Sequence, residues 1–197
     1  MAVNLKKGQK VDLRKSSGGE LKKVMVGLGW DPVEQKRGWF GMGAQDIDCD
    51  ASVFLCQDGR LVDEKDIVAF FNLKHKSKSV RHTGDNLTGE GEGDDEEIII
   101  DLQSVPPEYD KAIVVVNIYQ AKERKQHFGL IKNAFIRIVD MDNGEELLRY
   151  DLSGDAYDGM TAMVFGEVYR HNGKWKFGAV GQATTDNSIS ELAARFR

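Results

Sequence analysis

The chain has 197 residues, 41% of them hydrophobic and 30% charged, with a formal net charge of −5. This composition excludes a disordered chain, and no apolar run approaches the roughly 20 residues that cross a membrane as a helix. The acidic balance also speaks against nucleic acid as a partner, because nucleic acid selects basic surfaces.

In chain order, the short apolar runs read as strands nearly throughout. "VNL" and "KVDLR" come first, and "MAVNLKKGQKVDL" lacks the apolar centre of a secretory signal, which sets the expectation of a cytoplasmic protein. "LKKVMVGLGW" follows an "SSGG" turn, "ASVFLCQ" leads into "DGR", and "DIVAFFN" comes next. Cys49 and Cys56 bound "CDASVFLC". On a strand they point to opposite faces, cannot pair with each other, and are expected to stay reduced. After an acidic run come "EIIIDL" and the β-branched "AIVVVNIYQ". "NAFIRIVD" and "EELLRYDL" flank "MDNG", a strong hairpin signal, and "AMVFGEVYRHNGKWKFGAVGQA" reads as a second hairpin turning at "HNG". Helix is confined to short pieces: "SVPPEYDKA", "AKERKQHFG", and "SISELAARF" with Ser188 or Ser190 as its cap. With three prolines and no low-complexity linker, the reading is an all-β antiparallel sandwich, a single domain over 1–197 with acidic end loops.

The acidic run is "GDNLTGEGEGDDEE", Gly84 to Glu97. Counted on to Asp101 it carries eight carboxylates and neither lysine nor arginine. Neighbouring like charges cost on the order of 1 kcal/mol per pair even in water. Spreading them through solvent is the usual fate of such a block. Three features point instead to a cation. Gly84, Gly89, Gly91 and Gly93 permit tight folding. The donors are hard oxygen, Asn86 and Thr88 included, and calcium takes six to eight oxygens. Finally, "IIIDL" pins Asp95 and Glu96 at the mouth of a strand. A phosphate cradle fails, since Glu90 and Glu92 would repel the phosphate and no Lys-Ser/Thr pair is present.

A second acidic group is "AQDIDCDASVFL". Extended, it puts Asp46, Asp48 and Asp50 on one face and Ile47, Cys49, Ala51 and Val53 on the other. It is no EF-hand loop, because Ala51 stands where glycine is needed and Gln57 where glutamate is needed. Asp31 in "GLGWDP" is either a turn-initiating Asp-Pro or a third contributor. A sandwich gathers its loops at two ends. If these three loops share one end, the carboxylates there repel one another unless cations, two by the size of the group, sit among them.

"MVGLGWD", "DIDCDASVFL", "RHTGDNLTGEGEGDDEEIIIDL", "NAFIRIVD" and "NGKWKFGAVG" together resemble the TerD family of calcium-binding tellurium-resistance and general stress proteins. The likeness runs from about Val3 to Gln182, with the glycine-rich acidic block its most specific part. It implies a β-sandwich, carboxylate-rich calcium sites in end loops, a part in bacterial resistance to tellurite, chemical damage or phage, and no catalytic activity. The family's acidic motif falls on Asp85, Asn86, Gly89, Glu90, Asp94, Asp95 and Glu96. Its Asp-x-Asp-Ala-Ser motif falls on Asp48 and Asp50, and its Gly-Trp-Asp on Asp31. Asp46 lies outside the pattern, and Glu92 departs from it where members often carry aspartate. Expected partners are calcium ions, paralogues and other stress-resistance proteins, at a membrane-associated complex, and not nucleic acid.

Other residues carry less. "LKHKSKSVRH" reads as a solvated basic loop offsetting the acids, with a partner or membrane-surface patch as the alternative, and it lacks the aromatic platforms of single-strand binders. His127 and His171 have no partner at zinc-ligand spacing, and Ser52 and Thr83 sit in no nucleophile elbow. Two rival functions stand beside a calcium module. One is a metal-dependent enzyme acting on a phosphate ester or small molecule with the same carboxylates. The other is an oxyanion binder working through a bound cation or through Cys49 and Cys56, whose reactivity would need lowered thiol pKa values.

Overall fold

The computed structural model describes residues 3–4, 10–12, 19–31, 46–84, 87–88, 93–152 and 155–197. Over these residues, two six-stranded sheets pack face to face. The first has the order β1 (Val3–Asn4), β10 (Glu145–Asp151), β9 (Lys132–Asp140), β3 (Lys23–Asp31), β7 (Glu96–Asp101), β6 (Val80–His82). The second runs β2 (Lys10–Asp12), β12 (Lys174–Thr184), β11 (Ala162–His171), β8 (Lys111–Ile118), β4 (Cys49–Cys56), β5 (Ile67–Val68). Every pairing is antiparallel except that of β1 with β10. The all-β sandwich read from the sequence is the fold.

Alternation builds the core. Val24, Val26, Leu28 and Trp30 of β3, with Ile98 and Ile100 of β7, face Cys49, Ala51, Val53 and Leu55 of β4 across the gap between sheets. Phe54, Cys56, Ile113, Val115 and Val164 point out of the second sheet, yet they are buried too. Helix α2 (Ile189–Ala194) covers them with Ile189 and Leu192, and Phe196 sets its ring edge-on to Phe54 at 6.0 Å. That second cover explains why "AIVVV" is apolar at every position rather than at alternate ones. Ser188 caps α2, its hydroxyl accepting from the Glu191 amide at 3.2 Å.

Both hairpins form where expected. Gly144 turns β9 into β10 at φ +72°, and Asn172 (φ +51°) with Gly173 (φ +73°) turns β11 into β12 in the left-handed pair that a tight hairpin favours. Three local readings are corrected. "DIVAFFN" yields only the two-residue β5, because a 3-10 turn at Glu64–Asp66 precedes it and the chain folds back between Ala69 and Asn72. "SVPPEYDKA" forms turns rather than helix. The basic run is partly built into the fold, with His75 and Ser79 buried and Val80–His82 pairing as β6, a strand too short to show a period. "AKERKQHFG" holds a single helical turn, α1 (Ala121–Arg124), and a 3-10 turn at Phe128–Leu130.

Register decides which loops meet. Leu28 pairs with Glu96, Asp31 with Lys132, His82 with Ile98, and Cys49 with Ile118. The end of β3, the starts of β4 and β7, and the end of β6 therefore lie at one end of the sandwich.

Candidate functional site at the acidic end

Asp48 and Asp50 are 5% and 2% exposed, on the face of β4 opposite Cys49 and Ala51, as alternation requires. Together with Asp46, Leu87 and Thr88 they line a cavity of about 450 Å³ whose remaining wall is Phe70, Tyr119 and Arg124. Asp50 accepts from Asn117 Nδ2 at 3.0 Å. Arg124 lies over the Tyr119 ring, 5.0 Å from its centroid, with Nη1 3.8 Å from Asp48. Asp46, ranked below the others on motif grounds, thus shares their cavity.

Glu96 sits between the sheets, 1% exposed. Its Oε2 accepts from the Ala51 amide at 2.6 Å and lies 3.4 Å from His82 Nε2. His82 Nδ1 accepts from the Gly84 amide at 3.2 Å, which leaves the ring proton on the nitrogen facing Glu96. This carboxylate ties β7 to β4 and the root of the acidic loop to both.

Asp94 and Asp95 take up a third position. Asp95 Oδ2 accepts from the Trp30 amide at 2.9 Å, and the Asp95 amide donates to Leu28 O at 2.8 Å. Burial pushes the Asp95 carboxyl up, Asp94 and Asp31 add to the rise, and the Trp30 hydrogen bond opposes it. Asp94 gives both oxygens to Arg137, Oδ1 to Nε at 2.8 Å and Oδ2 to Nη2 at 2.9 Å. The approach depends on two glycines of "VGLGW": a Cβ on Gly27 would run into the Asp94 carboxyl, and one on Gly29 into the Gly93 carbonyl and the Phe135 ring. Alternate glycines on a strand mark a close backbone approach, a signal that the sequence itself carries at Gly27 and Gly29. Asp31 is exposed and accepts from Asn133 Nδ2. Asp85, Asn86 and Glu90 lie outside the described residues.

The acids of both sheets do converge, but not on one point. Burial raises the Cys49 thiol well above its ordinary value, and Asp50, Glu96, Asp48 and Asp95 add to that rise from around it. Asp94 is committed to Arg137, and Asp31 stands at the rim. Among the described residues no group of three or more His, Cys, Asp or Glu side chains is arranged to hold a metal. The donor chemistry around the cavity nonetheless fits a hard cation, since among the described residues buried carboxylate oxygens and Thr88 line it without sulfur or imidazole, Arg124 being the positive group already there. Cys56 is also buried, its thiol pushed up to about 12 by burial with Lys111 opposing. Raised pKa values disfavour the thiolate at both positions, so neither cysteine offers the nucleophile that capture of an oxyanion by sulfur would need.

A two-sheet β-sandwich with carboxylates of both sheets gathered at one end is the class of protein that this fold and site define. The TerD domain family model matches residues 1–196, and the chain belongs to the TerD family. It is 50% identical over 200 residues to stress response protein SCP2 of Bacillus subtilis (strain 168), covering 100% of both chains. It is 51% identical over 194 residues to tellurium resistance protein TerD of Serratia marcescens, covering 98% of this chain and 96% of that one. Both names denote resistance and stress proteins. A crystal structure of a homologue of the telluride resistance protein TerD from Streptomyces coelicolor A3(2) superposes with a TM-score of 0.66 over 86% of this chain and 94% of that one, at 24% identity, a likeness of fold. No helix among the described residues is long and apolar enough to cross a membrane.

Proposed function

We propose that this protein is a non-enzymatic, cytoplasmic calcium-binding member of the stress-response family, and that its acidic end takes two Ca²⁺ and then serves as a calcium-dependent interaction module. The observation that carries this reading is the cavity in which buried Asp48 and Asp50 face Leu87 and Thr88 of the acidic loop. Asp46, Asp48 and Asp50 would hold one ion together with loop oxygens from Asp85, Asn86 and Glu90, while Asp31 and Asp95 serve a second. Glu96 and Asp94 brace the loop through Ala51 and Arg137. Calcium would supply positive charge that relieves the repulsion and ties loop to sandwich. A two-metal esterase is the weaker reading, because it needs a general acid or base beyond the ligands: His82 is buried against Glu96, and the Tyr119 ring in the cavity wall is stacked under Arg124.

Calorimetric titration of metal-stripped protein tests the proposal. Two equivalents of Ca²⁺ are expected, with affinity in the roughly 10⁻⁷ to 10⁻⁵ M range of sensor sites. The Asp48→Asn/Asp50→Asn variant should lose one of them. A wild-type protein that takes up no calcium, or a variant that titrates unchanged, would count against it.

A further inference from the structure

The exposed large apolar side chains are distributed unevenly. Among the described residues these are Val62, Phe71, Leu73, Leu87, Leu130 and Met141, and four of the six belong to the acidic end. Phe71, 57% exposed, stands in the turn that follows β5, its ring edge-on to Phe70 of the carboxylate cavity at 5.2 Å. Leu73, 45% exposed, bonds through its carbonyl to the His82 amide at the root of the acidic loop. Leu87, 59% exposed, lies on that loop, and Leu130, 46% exposed, lies just before Lys132, which pairs with Asp31. Exposed cations accompany them: Lys122 and Lys125 on and after α1, and Lys74 beside Leu73.

We propose that the acidic end, once loaded with calcium, docks on an anionic phospholipid surface. This rests on the calcium reading above and names its partner. Apolar side chains spaced around a polar centre match the interfacial zone of a bilayer, where each can bury its body while flanking lysines meet headgroup phosphates. A dry protein interface would instead call for a continuous apolar patch with few charges at its centre. Charge gives the gating. Without cations the carboxylates repel an anionic surface; two Ca²⁺ offset four of those charges, which lowers the repulsion, and calcium, which takes six to eight oxygens, can complete its set with lipid phosphate. Phe71, Leu87 and Leu130 enter the interface, and Lys122 and Lys125 lie over the headgroups.

The test is co-sedimentation of the full chain with phosphatidylcholine vesicles, with and without phosphatidylserine, in calcium or in chelator, alongside vesicle-free calorimetry with calcium. Sedimentation is expected only with phosphatidylserine and calcium together. Phe71→Ala/Leu130→Ala should weaken it about tenfold, and Lys122→Glu/Lys125→Glu by a similar factor, while both variants bind calcium as the wild type does. Calcium uptake without sedimentation would overturn the docking and leave the calcium reading standing. Equal binding to pure phosphatidylcholine or in chelator, wild-type binding by both variants, or calcium-dependent pairing of two copies in place of vesicle binding would also overturn it. No heat with calcium would remove the reading on which it rests, and the docking with it.

Discussion

At Asp66 a fully buried carboxylate draws three donors onto one oxygen: His75 Nε2 at 3.1 Å, Lys76 Nζ at 2.9 Å and the Tyr109 hydroxyl at 2.9 Å. Ser77 bonds the far side of the His75 ring at 2.6 Å, so the basic run is knotted onto this one acid. Burial would raise the Asp66 carboxyl, but the hydrogen bonds from Lys76, His75 and Tyr109 outweigh it and hold it below its ordinary value of 3.8. A carboxyl with a depressed folded pKa adds stability that is complete above the unfolded value and disappears as pH falls through the folded one. Asp66→Asn should therefore cost about 1–3 kcal/mol at neutral pH, because the amide oxygen that replaces the charged acceptor holds the His75 and Tyr109 donors more weakly; Lys76 adds little, since its side chain is 57% exposed and its charge is screened. Urea unfolding at pH 7 and pH 3 checks this: the gap between wild type and variant should narrow in acid. A gap that is equal at both pH values would show that the Asp66 charge contributes nothing. Nothing in "DEKDIVAF" distinguishes Asp66 from its exposed neighbours Glu64 and Lys65, because its partners come from two other loops.

Among the elements, β3 has the least expected part, for its outward glycines form the bed on which the end of the acidic loop lies. Gly27→Ala should cost about 1–3 kcal/mol by forcing Asp94 off Arg137. In an Asp94→Ala background the same methyl meets no carboxyl, so a double-mutant cycle should return a coupling of about 1 kcal/mol or more. Strict additivity would show that the contact is immaterial. Helix α2 sets a second case. Leu192 is 0% exposed over Phe54 and Val115, and Leu192→Ala should destabilise by about 2–4 kcal/mol in chemical denaturation. A loss below about 1 kcal/mol, the scale of a surface change, would mean that the helix rests loosely on the sheet. Strands with a long period-2 pattern were legible, and so was the Ser188 cap. β6 was not, since three residues between a basic and an acidic run carry no period of their own.

For the whole molecule, the proposed uptake of calcium at the acidic end would make cation binding and folding a linked equilibrium. Calcium at a hundredfold excess over its dissociation constant should add about 2.7 kcal/mol per site, seen as a large rise in melting temperature. Magnesium should add little, because it demands a small octahedral cage that such a cavity does not provide. Equal shifts with the two ions would remove calcium selectivity from the proposal. The buried thiols give a contrary expectation for redox chemistry: Cys49 and Cys56 should resist alkylation in the native protein and react only on unfolding.

The amino-acid order was enough to establish a β-sandwich, the hairpins at "MDNG" and "HNG", the opposite faces of Cys49 and Cys56, and a surplus of carboxylates that loops must bring to an end. Those are consequences of period, turn chemistry and charge, all local along the chain. Which carboxylate meets which partner was not local. Strand register and the bed of Gly27 and Gly29 gave Asp94 to Arg137, Glu96 to Ala51, and Asp46 to the cavity of Asp48 and Asp50. Contacts between residues tens of positions apart depend on how two sheets stack, and no short window of sequence carries that information.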